Sequence, residues 1–395
     1  MLHYDMIIVG GGLVGAGLAA ALSDTELKIA LIDAKLPSNH DPRLFALNAG
    51  SCQFLSHLDL WPQLAPHASP IHEVHVSHQR HFGCVRLKRE EAGLSALGHV
   101  IPAKYIEAAL NDVLLSLQNC TVYRPATLQQ IHLQNNIVQL TILTESGEKI
   151  LHAPLVMGAD GTDSTVRKQL NIRTEIVEYE QSAIVTRTLL KRAHQHIAHE
   201  RFHAQGAIAM LPLIGEECAM IWSGDNDMIA SLMELADDAF LARLQDEFGY
   251  RLGKLQAVQK RHVFPLRRVC AEKAVEQGVF LLGNSAHTLH PIAAQGFNLA
   301  LYEVAVLVDA ITEKMRQGKK FAAKDLHDVS QQIQKRQAAS MGVSHHLTQW
   351  FSRDSFAAGW MTQLGMMGLN LALPVKKRFM QSMLGRTGSV PRLLL

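Results

Sequence analysis

Closely spaced glycines near the start of the chain are the first residues whose pattern indicates chemistry. Residues 10–15 read GGGLVG and fit the pattern G-x-G-x-x-G. In such a turn Gly10 permits the tight bend, Gly12 leaves room for a pyrophosphate, and Gly15 lets a helix pack against a strand. Asp33 lies 21 positions after Gly12, where its carboxylate can accept hydrogen bonds from ribose hydroxyls. The pattern predicts a dinucleotide site, and the acid favours FAD or NAD over NADP.

The segments around these glycines have the apolar patterns needed to hold them in place. Residues 4–9 form a short apolar run that predicts a strand, residues 13–22 predict a helix, and residues 28–32 predict a second strand. A strand, helix and strand in this order predict a parallel sheet, with phosphates at the positive end of the helix. A purely structural glycine turn is the alternative, and the position of Asp33 argues against it.

A second strand end carries an acid and a glycine. Residues 155–159 form an apolar strand pattern, and residues 158–167 read GADGTDSTVR. Asp160 and Gly161 would place a carboxylate and bare backbone at the carboxyl edge of the sheet, where ligands bind. A strand-to-helix turn capped by Asp163 or Ser164 is the alternative reading of the local sequence.

A third strand end leads into a long glycine- and histidine-containing segment. Residues 279–282 predict a strand, and residues 283–300 read GNSAHTLHPIAAQGFNLA. A helix that begins near Gly296 would aim unpaired N–H groups at a ligand on which negative charge accumulates. The sequence therefore predicts three ligand-facing turns at one edge of the sheet.

The second and third segments together resemble the FAD signatures of the FAD-dependent aromatic hydroxylases, the class A flavoprotein monooxygenases. The third segment is similar in particular to the ubiquinone-biosynthesis branch, which contains the 2-polyprenyl-6-methoxyphenol hydroxylases. Residues 41–47, DPRLFAL, resemble the D-x-R-x-x-A-L pattern of that branch. The chain departs from the family where Asn284 replaces an Asp, where Glu303 replaces another, and where Ala103 replaces a phosphate-binding Arg or Gln. Neighbouring Lys104 is the candidate to supply that missing contact.

The resemblance implies site residues position by position. The expected FAD-binding residues are Gly10, Gly12, Gly15, Asp33, Arg43, Asp160, Gly161, Gly283, Asn284, Gly296, Phe297 and Asn298. The residues expected to shape the catalytic centre are His290, Pro291, Gly296 and Phe297. For His290, a packed and hydrogen-bonded role is the alternative to orienting a phenol.

The resemblance also implies a reaction and its partners. FAD would be reduced by NAD(P)H and would react with O2, and a flavin C4a-hydroperoxide would hydroxylate the ring of a polyprenylated phenol in ubiquinone biosynthesis. The sequence holds one G-x-G-x-x-G, so the nicotinamide cofactor is expected to dock transiently. The alternatives are a hydroxylase of another aromatic, a prenyl-chain flavin reductase of the same fold, and a scaffold protein that has kept its flavin.

The expected fold class is α/β, a Rossmann-like FAD-binding domain of the para-hydroxybenzoate-hydroxylase type with an inserted β-rich substrate domain and a helical carboxyl terminus. The FAD-binding domain is expected to be discontinuous, over residues 1–70, 100–180 and 267–345. Residues 71–99 and 181–266 are assigned to the substrate domain. Residues 346–395 are assigned to a basic and apolar helical tail.

Charge is distributed unevenly along the 395 residues. The net charge is +2, from 38 basic and 36 acidic residues, which argues against a nucleic-acid partner. Residues 355–395 hold five basic residues and no acid, so the rest of the chain carries a charge of −3. The tail is thus a candidate for contact with an anionic membrane surface or a biosynthetic complex.

The tail also contains 20 uncharged residues, 356–375. This stretch is a candidate core helix, a surface-docking helix or, with least support, a membrane span. The expected location is the cytoplasm, with the inner face of the cytoplasmic membrane as a peripheral site, and the oligomeric state stays open.

Histidines and cysteines offer weaker signals. Residues 199–203 read HERFH and match the zinc motif H-E-x-x-H, but the alternating pattern from Phe202 onward predicts a strand, on which two such histidines are not set up for zinc. No metal site is expected. His194 and His196 are expected to be exposed loop residues. The five cysteines form no C-x-x-C pair, which is typical of packed thiols in a reducing compartment.

Overall fold

The computed structural model describes residues 2–37, 41–79, 83–134, 136–203, 205–288, 295–337, 370, 373–385 and 390–395. The helices, in chain order, are α1 Leu13–Ala21, α2 Ala49–His57, α3 Trp61–Leu64, α4 Arg89–Ala92, α5 Ala103–Ser116, α6 Thr165–Gln169, α7 Asn226–Glu234, α8 Asp237–Phe248, α9 Gln295–Arg316 and α10 Leu373–Met383. The strands, in chain order, are β1 Leu2–His3, β2 Met6–Val9, β3 Ile29–Ile32, β4 Leu44–Asn48, β5 Ser69–Ile71, β6 Glu73–His78, β7 Cys84–Lys88, β8 Gly98–Pro102, β9 Cys120–Tyr123, β10 Ala126–Gln134, β11 Ile137–Thr144, β12 Gly147–Ala153, β13 Leu155–Gly158, β14 Thr174–Leu190, β15 Ile197–His203, β16 Gly206–Pro212, β17 Glu217–Asp225, β18 Leu255–Val258, β19 His262–Ala271, β20 Val275–Glu276, β21 Val279–Leu281 and β22 His287–Thr288.

A six-stranded sheet in the order β20-β21-β13-β2-β3-β9 forms the centre of the α/β part. Its five strands from β21 to β9 are parallel, and β2, β3 and β13 are buried along their whole length. Continuous apolar runs are what such doubly covered strands require. Met6 and Ile8 face the helices α1, α5 and α9, whereas Ile7 and Val9 face the four-stranded sheet β1-β12-β11-β10. The result is three layers around two apolar cores.

The register of the parallel strands brings the three sequence motifs to one edge. Val9 pairs with Gly158, and Gly158 pairs with Leu281, so β2, β13 and β21 end at the same level. The glycine turn, the Asp160 turn and the Gly283 turn follow these three strand ends directly. The prediction that the motifs share one sheet edge is confirmed.

A nine-stranded sheet carries the second part of the molecule, in the order β22-β19-β14-β17-β16-β15-β6-β7 with β18 on β14. One face is covered by α7 and α8, whose residues pack on large side chains such as Trp222, Met220 and Met210. The opposite face carries small residues in register, such as Ala207 beside Ser223 and Ser223 beside Ala183. Large residues on one face fill a core, and small residues on the other leave space above the sheet.

Two long strands join this sheet to the α/β part. β14 begins at Thr174 opposite Ala271, close to the sheet edge that carries the motifs, and extends to Leu190 with a shift in its pairing between Glu178 and Gln181. β19 returns along it in antiparallel pairing. These two strands fix the small-residue face of the larger sheet next to the three turns.

The described part of the tail packs on the body of the protein. Met380 and Leu384 are buried in an apolar cluster with residues of β7, β8 and β15. The Lys376 ammonium, whose side chain is 6% exposed, lies 2.7 Å from a carboxylate oxygen of Glu91. The stretch 356–375 falls outside the described residues except for Asn370, Leu373, Pro374 and Val375. Within the described ranges, the structure contains no helix that is both long and apolar enough to cross a membrane.

One expectation about the histidines is wrong. His194 is 4% exposed, and its Nε2 lies 2.8 Å from the Leu213 carbonyl oxygen and 3.1 Å from that of Gly215. His196 is half-buried, and its ring packs against those of His194 and His72. The loop folds back onto the end of β16, a long-range contact that local polarity does not reveal.

Candidate functional site

The glycine turn is shaped around an opening at the first turn of α1. A Cβ on Gly10, whose φ is +107°, would lie 2.3 Å from the Ala159 carbonyl oxygen, and a Cβ on Gly15 would lie 1.9 Å from the Gly10 carbonyl oxygen. A Cβ on Gly12 would meet no atom within 4 Å. No side chain caps α1, so its first N–H groups face this opening. Open space at a helix amino terminus is suited to a phosphate.

Asp33 lies at the end of β3 and is held by an arginine that the sequence reasoning missed. Arg124 Nη2 lies 3.0 Å from Asp33 Oδ2 and donates to the Gly11 carbonyl oxygen at 3.1 Å. Arg124 Nη1 donates to Asn111 Oδ1 at 2.8 Å. The signal in the sequence is its position directly after β9, which is parallel to β3. Arg124 therefore fixes the carboxylate and the glycine turn relative to each other.

Asp160 lies between Ala159 and Gly161, which line the same opening, and has one unsatisfied carboxylate oxygen. Its Oδ2 accepts a hydrogen bond from the Val166 N–H at 3.0 Å, which caps α6, whereas its Oδ1 is buried and has no partner among the described residues. Gly161 follows with φ +83° and open space where a Cβ would lie. Buried carboxylate oxygens are nearly always hydrogen-bonded, so Oδ1 is poised for a ligand hydroxyl.

Arg167 links the second motif to the third and was also missed by the sequence reasoning as an individual residue. Its side chain is buried and donates to the carbonyl oxygens of Thr162 and Ser285, both at 2.7 Å. It is the last residue of GADGTDSTVR, so only the motif as a whole indicated it. The two turns are thereby locked to each other.

The Gly283 turn rests on a buried carboxylate. Glu303 Oε2 accepts the Gly283 N–H at 2.8 Å, and Glu303 Oε1 contacts His287 Nε2. Burial opposes ionisation of Glu303, but the electrostatic attraction of His287, together with hydrogen bonds to His287, Gly283 and Gln337, outweighs burial and holds its pKa below the ordinary value. Asn284 is exposed and lines the cavity described below. Glu303, at which the chain departs from the family pattern, thus holds the backbone of the Gly283 turn.

The start of α9 faces the same opening. A Cβ on Gly296 would meet no atom within 4 Å. Asn298 Oδ1 accepts the Asn48 N–H and Asn298 Nδ2 donates to the Ala46 carbonyl oxygen, both at 2.9 Å, and the rings of Phe297 and Phe45 lie 4.6 Å apart. These contacts fix α9 against β4 and leave the first-turn backbone of α9 towards the cavity.

Arg43 lies at the rim of the opening. Its Nη2 lies 2.5 Å from Asp41 Oδ2 and 3.3 Å from Glu107 Oε1. Burial, together with hydrogen bonding to Asp41, raises the pKa of Glu107 to about 7. His290 and Pro291 lie outside the described residues, so the structure does not place them.

One continuous cavity of about 620 Å³ connects these turns with the small-residue face of the larger sheet. Its first half is lined by Gly12, Arg43, Phe45, Gly161, Asn284, Gly296, Phe297 and Asn298, among others. Its second half is lined by Ile71, Val74, Leu87, Leu97, Ala183, Val185, Ala198, His199, Glu200, Ala207, Ala209, Leu211, Ile221, Ser223, Phe264, Leu266, Met380 and Leu384. The polar half suits a dinucleotide, and the apolar half suits an apolar ligand.

The residues present fit FAD on three observations. Gly12 leaves space for a pyrophosphate at the α1 amino terminus. Asp160 Oδ1 is a buried acceptor with no partner among the described residues, and Gly296 leaves the α9 backbone accessible. Asp33 at the end of β3 is placed for the adenosine ribose. The opening continues from one glycine-lined turn to the next along the sheet edge, as an extended cofactor requires.

The HERFH segment lies on a strand, β15, as expected. His199 Nδ1 lies 3.2 Å from His75 Nδ1, and Trp222 Nε1 donates to His203 Nε2 at 3.3 Å. Burial lowers the pKa of His75 to about 4 and that of His199 to about 3, so both rings are neutral. Among the described residues, no group of three His, Cys, Asp or Glu side chains is placed to hold a metal ion.

Comparison with known proteins gives relatives over nearly the whole chain. The ubiquinone hydroxylase UbiL of Rhodospirillum rubrum is 29% identical, over 96% of this chain and 89% of its own. The 3-demethoxyubiquinol 3-hydroxylase of Escherichia coli is 26% identical, over 96% of this chain and 98% of its own. Among solved structures, p-nitrophenol 4-monooxygenase PnpA from Pseudomonas putida matches with a TM-score of 0.80 at 16% identity, over 98% of this chain and 100% of that one, which shows a shared fold.

A family model described as an FAD binding domain matches residues 3–341. This range includes all three motif turns and the small-residue face of the larger sheet. The chain belongs to the FAD-binding domain family of flavoprotein monooxygenases.

Proposed function

We propose that the protein is an FAD-dependent monooxygenase that uses NAD(P)H and O2 to hydroxylate the ring of a polyprenylated phenol in ubiquinone biosynthesis, as 2-polyprenyl-6-methoxyphenol hydroxylases do. The observation that carries the proposal is the continuous cavity, in which an apolar half opens onto the three FAD-binding turns. The ubiquinone hydroxylases among its relatives support the reaction type.

Each turn has a task in holding the cofactor. The α1 amino terminus at Gly12 binds the pyrophosphate, Asp33 binds the ribose, and Asp160 Oδ1 accepts a ribityl hydroxyl. The backbone at Gly296 and Phe297 stabilises negative charge at the pyrimidine end of the ring. Bound FAD, once reduced by NAD(P)H, supplies the activation of O2 for transfer to the ring.

The second half of the cavity selects and shields the substrate. Its walls are mainly aliphatic and aromatic side chains on the small-residue face of the sheet, and Met380 and Leu384 of the tail also line it. An apolar wall binds a prenylated ring through the hydrophobic effect and excludes water from the reacting centre. We further propose that residues 71–99 and 181–266 form the substrate part, and that His290 and Pro291 complete the centre.

We also propose a peripheral membrane contact at the inner face of the cytoplasmic membrane through residues 355–395. Among the basic residues of this tail, Lys377 and Arg378 are exposed, whereas Lys376 and Arg392 form ion pairs with Glu91 and Glu313. The two exposed charges support an attraction to anionic lipid. Co-sedimentation with anionic and with neutral vesicles tests this, using the paired changes Lys377→Glu and Arg378→Glu. Unchanged co-sedimentation would indicate a protein partner or no contact.

The function is tested in the purified protein and in the cell. We expect purified protein to be yellow and to release FAD on denaturation. Removal of the gene is expected to accumulate a ubiquinone precursor that lacks one ring hydroxyl, identified by mass spectrometry. Protein that takes up no FAD, or a strain with unchanged quinone intermediates, would contradict the proposal. An accumulated precursor with an altered prenyl chain would indicate a chain reductase instead.

A further inference from the structure

Among the described residues, one carboxylate that lines the apolar half of the cavity has no partner. Glu200 lies on β15, opposite Ala209 of β16 and Val76 of β6. Its side chain lines the cavity, and no hydrogen bond or ion pair joins it to any described residue. Ala198 and Glu200 face the cavity at alternate positions of the strand, as side chains on one face of a sheet do.

The other polar side chains that line that half, His199 and Ser223, each have a hydrogen-bond partner among the described residues. His199 Nδ1 contacts the Nδ1 of His75, and Ser223 Oγ donates to the Ala207 carbonyl oxygen at 3.1 Å. The remaining titratable residues that line the cavity are Arg43 and Glu107, which interact with each other at its other end. On the strands beside Glu200, the facing residues Val76 and Ala209 carry no charge. Among the described residues that line this half, Glu200 is therefore the side-chain acceptor without a partner that a substrate hydroxyl would meet.

We propose that Glu200 accepts the hydrogen bond of the substrate phenol and takes its proton during hydroxylation. This inference rests on the proposed function, since it requires that the apolar half binds the phenol ring. A carboxylate among Ala, Val, Ile and Leu side chains is costly to leave unpaired, and a phenol hydroxyl supplies the missing donor.

The proton balance of the step is complete. As the ring carbon forms its bond to the transferred oxygen, the phenol O–H bond breaks and its proton passes to Glu200. The hydroxylated carbon then loses its hydrogen as a proton, which passes to the second oxygen atom of O2. The ring becomes aromatic again, and Glu200 returns its proton to the ring oxygen. NAD(P)H supplies the two electrons that, with protons, reduce the second oxygen atom of O2 to water.

The ionisation of Glu200 supports this role. Burial alone raises the pKa of the Glu200 carboxyl to about 7. The carboxylate form, which accepts the proton, thus predominates above about pH 7 and is lost below it. A base with a pKa near the working pH combines availability with proton affinity.

The test uses the FAD-loaded enzyme and two matched probes, 2-prenylphenol and 2-prenyltoluene, which differ in the hydroxyl. Dissociation constants are measured from pH 5.5 to 9 through the change in flavin absorbance. For the wild type, phenol binding is expected to tighten about tenfold to a hundredfold as pH rises through about 7, while toluene binding does not tighten. Glu200→Gln is expected to remove this dependence, and Glu178→Gln, an exposed carboxylate of the same sheet, to retain it.

Turnover gives the second readout. Glu200→Gln is expected to lower kcat/KM for 2-prenylphenol by about a hundredfold or more at pH 8 and to remove the decline below pH 7. FAD content should be unchanged. A pH-dependent phenol affinity that persists in Glu200→Gln would overturn the inference, whether or not the enzyme hydroxylates. A wild type that binds the phenol as expected but forms no hydroxylated product would contradict the proposed function and leave the role of Glu200 in binding supported.

Discussion

Gly12→Ala is expected to weaken FAD binding and to leave the stability of the FAD-free protein nearly unchanged. The residue has φ −70° and ψ −172°, an extended conformation that alanine adopts freely, and its Cβ would meet no protein atom within 4 Å. Replacing glycine by alanine stabilises a folded chain by about 0.4–1 kcal/mol through the entropy of the unfolded state. Alanine is a poorer residue than glycine before a helix, by about 0.5–1 kcal/mol. These effects nearly cancel, so FAD-free protein should change in stability by less than about 0.5 kcal/mol.

The effect of Gly12→Ala on FAD affinity should be large. The methyl group would occupy the space in which the pyrophosphate meets the α1 amino terminus. Losing one to two charge-assisted hydrogen bonds of about 1.5–3 kcal/mol each costs about 3 kcal/mol, or about a hundredfold in affinity. Urea unfolding of FAD-free protein and titration with FAD followed by flavin fluorescence measure the two quantities. FAD affinity within about threefold of the wild type would refute the placement of the pyrophosphate at this turn.

Three further changes test other contacts. Gly15→Ala places a Cβ 1.9 Å from the Gly10 carbonyl oxygen. We therefore expect the free energy of unfolding of the FAD-free protein to fall by about 1–3 kcal/mol in urea unfolding, whereas Gly12→Ala should leave it nearly unchanged. Arg124→Met removes the hydrogen-bond donors to Asp33 and Gly11 and should lower the free energy of unfolding by about 1–3 kcal/mol in the same assay. Arg124→Lys should recover part of this loss. Full stability of the Met variant would show that these hydrogen bonds are dispensable. Glu200→Gln removes a carboxyl whose folded pKa is raised to about 7, so the folded state loses stability as pH rises from the unfolded value of about 4.3 to 7. The variant should therefore exceed the wild type by about 3–4 kcal/mol at pH 8 and match it at pH 4, and equal stabilities at pH 8 would contradict the raised pKa of Glu200.

The parts of the site that the sequence predicted are those encoded locally. The turns at Gly10, Asp160 and Gly283 each follow an apolar strand within a few residues, and parallel strands necessarily end at one edge. The confirmed family, fold class and FAD cofactor all depend on these turns.

The parts that could not be predicted depend on contacts between distant segments. Arg124 donates to a carbonyl oxygen 113 positions away, and Arg167 to one 118 positions away. The prediction that His194 is exposed is wrong for the same reason, since its partner Leu213 lies 19 positions away in the chain. Glu200 belongs to the strand-like HERFH segment, and only the sheet register shows which of its faces the cavity meets.

Oxygen transfer to a phenol ring is the central claim, and isotope labelling measures it directly. FAD-loaded protein, NAD(P)H and 2-prenylphenol are incubated under ¹⁸O2, and the product is analysed by mass spectrometry. We predict a product with one additional ring hydroxyl that carries a single ¹⁸O atom. Product without ¹⁸O, or NAD(P)H oxidation that yields only hydrogen peroxide in the presence of a bound polyprenylphenol, would contradict the account.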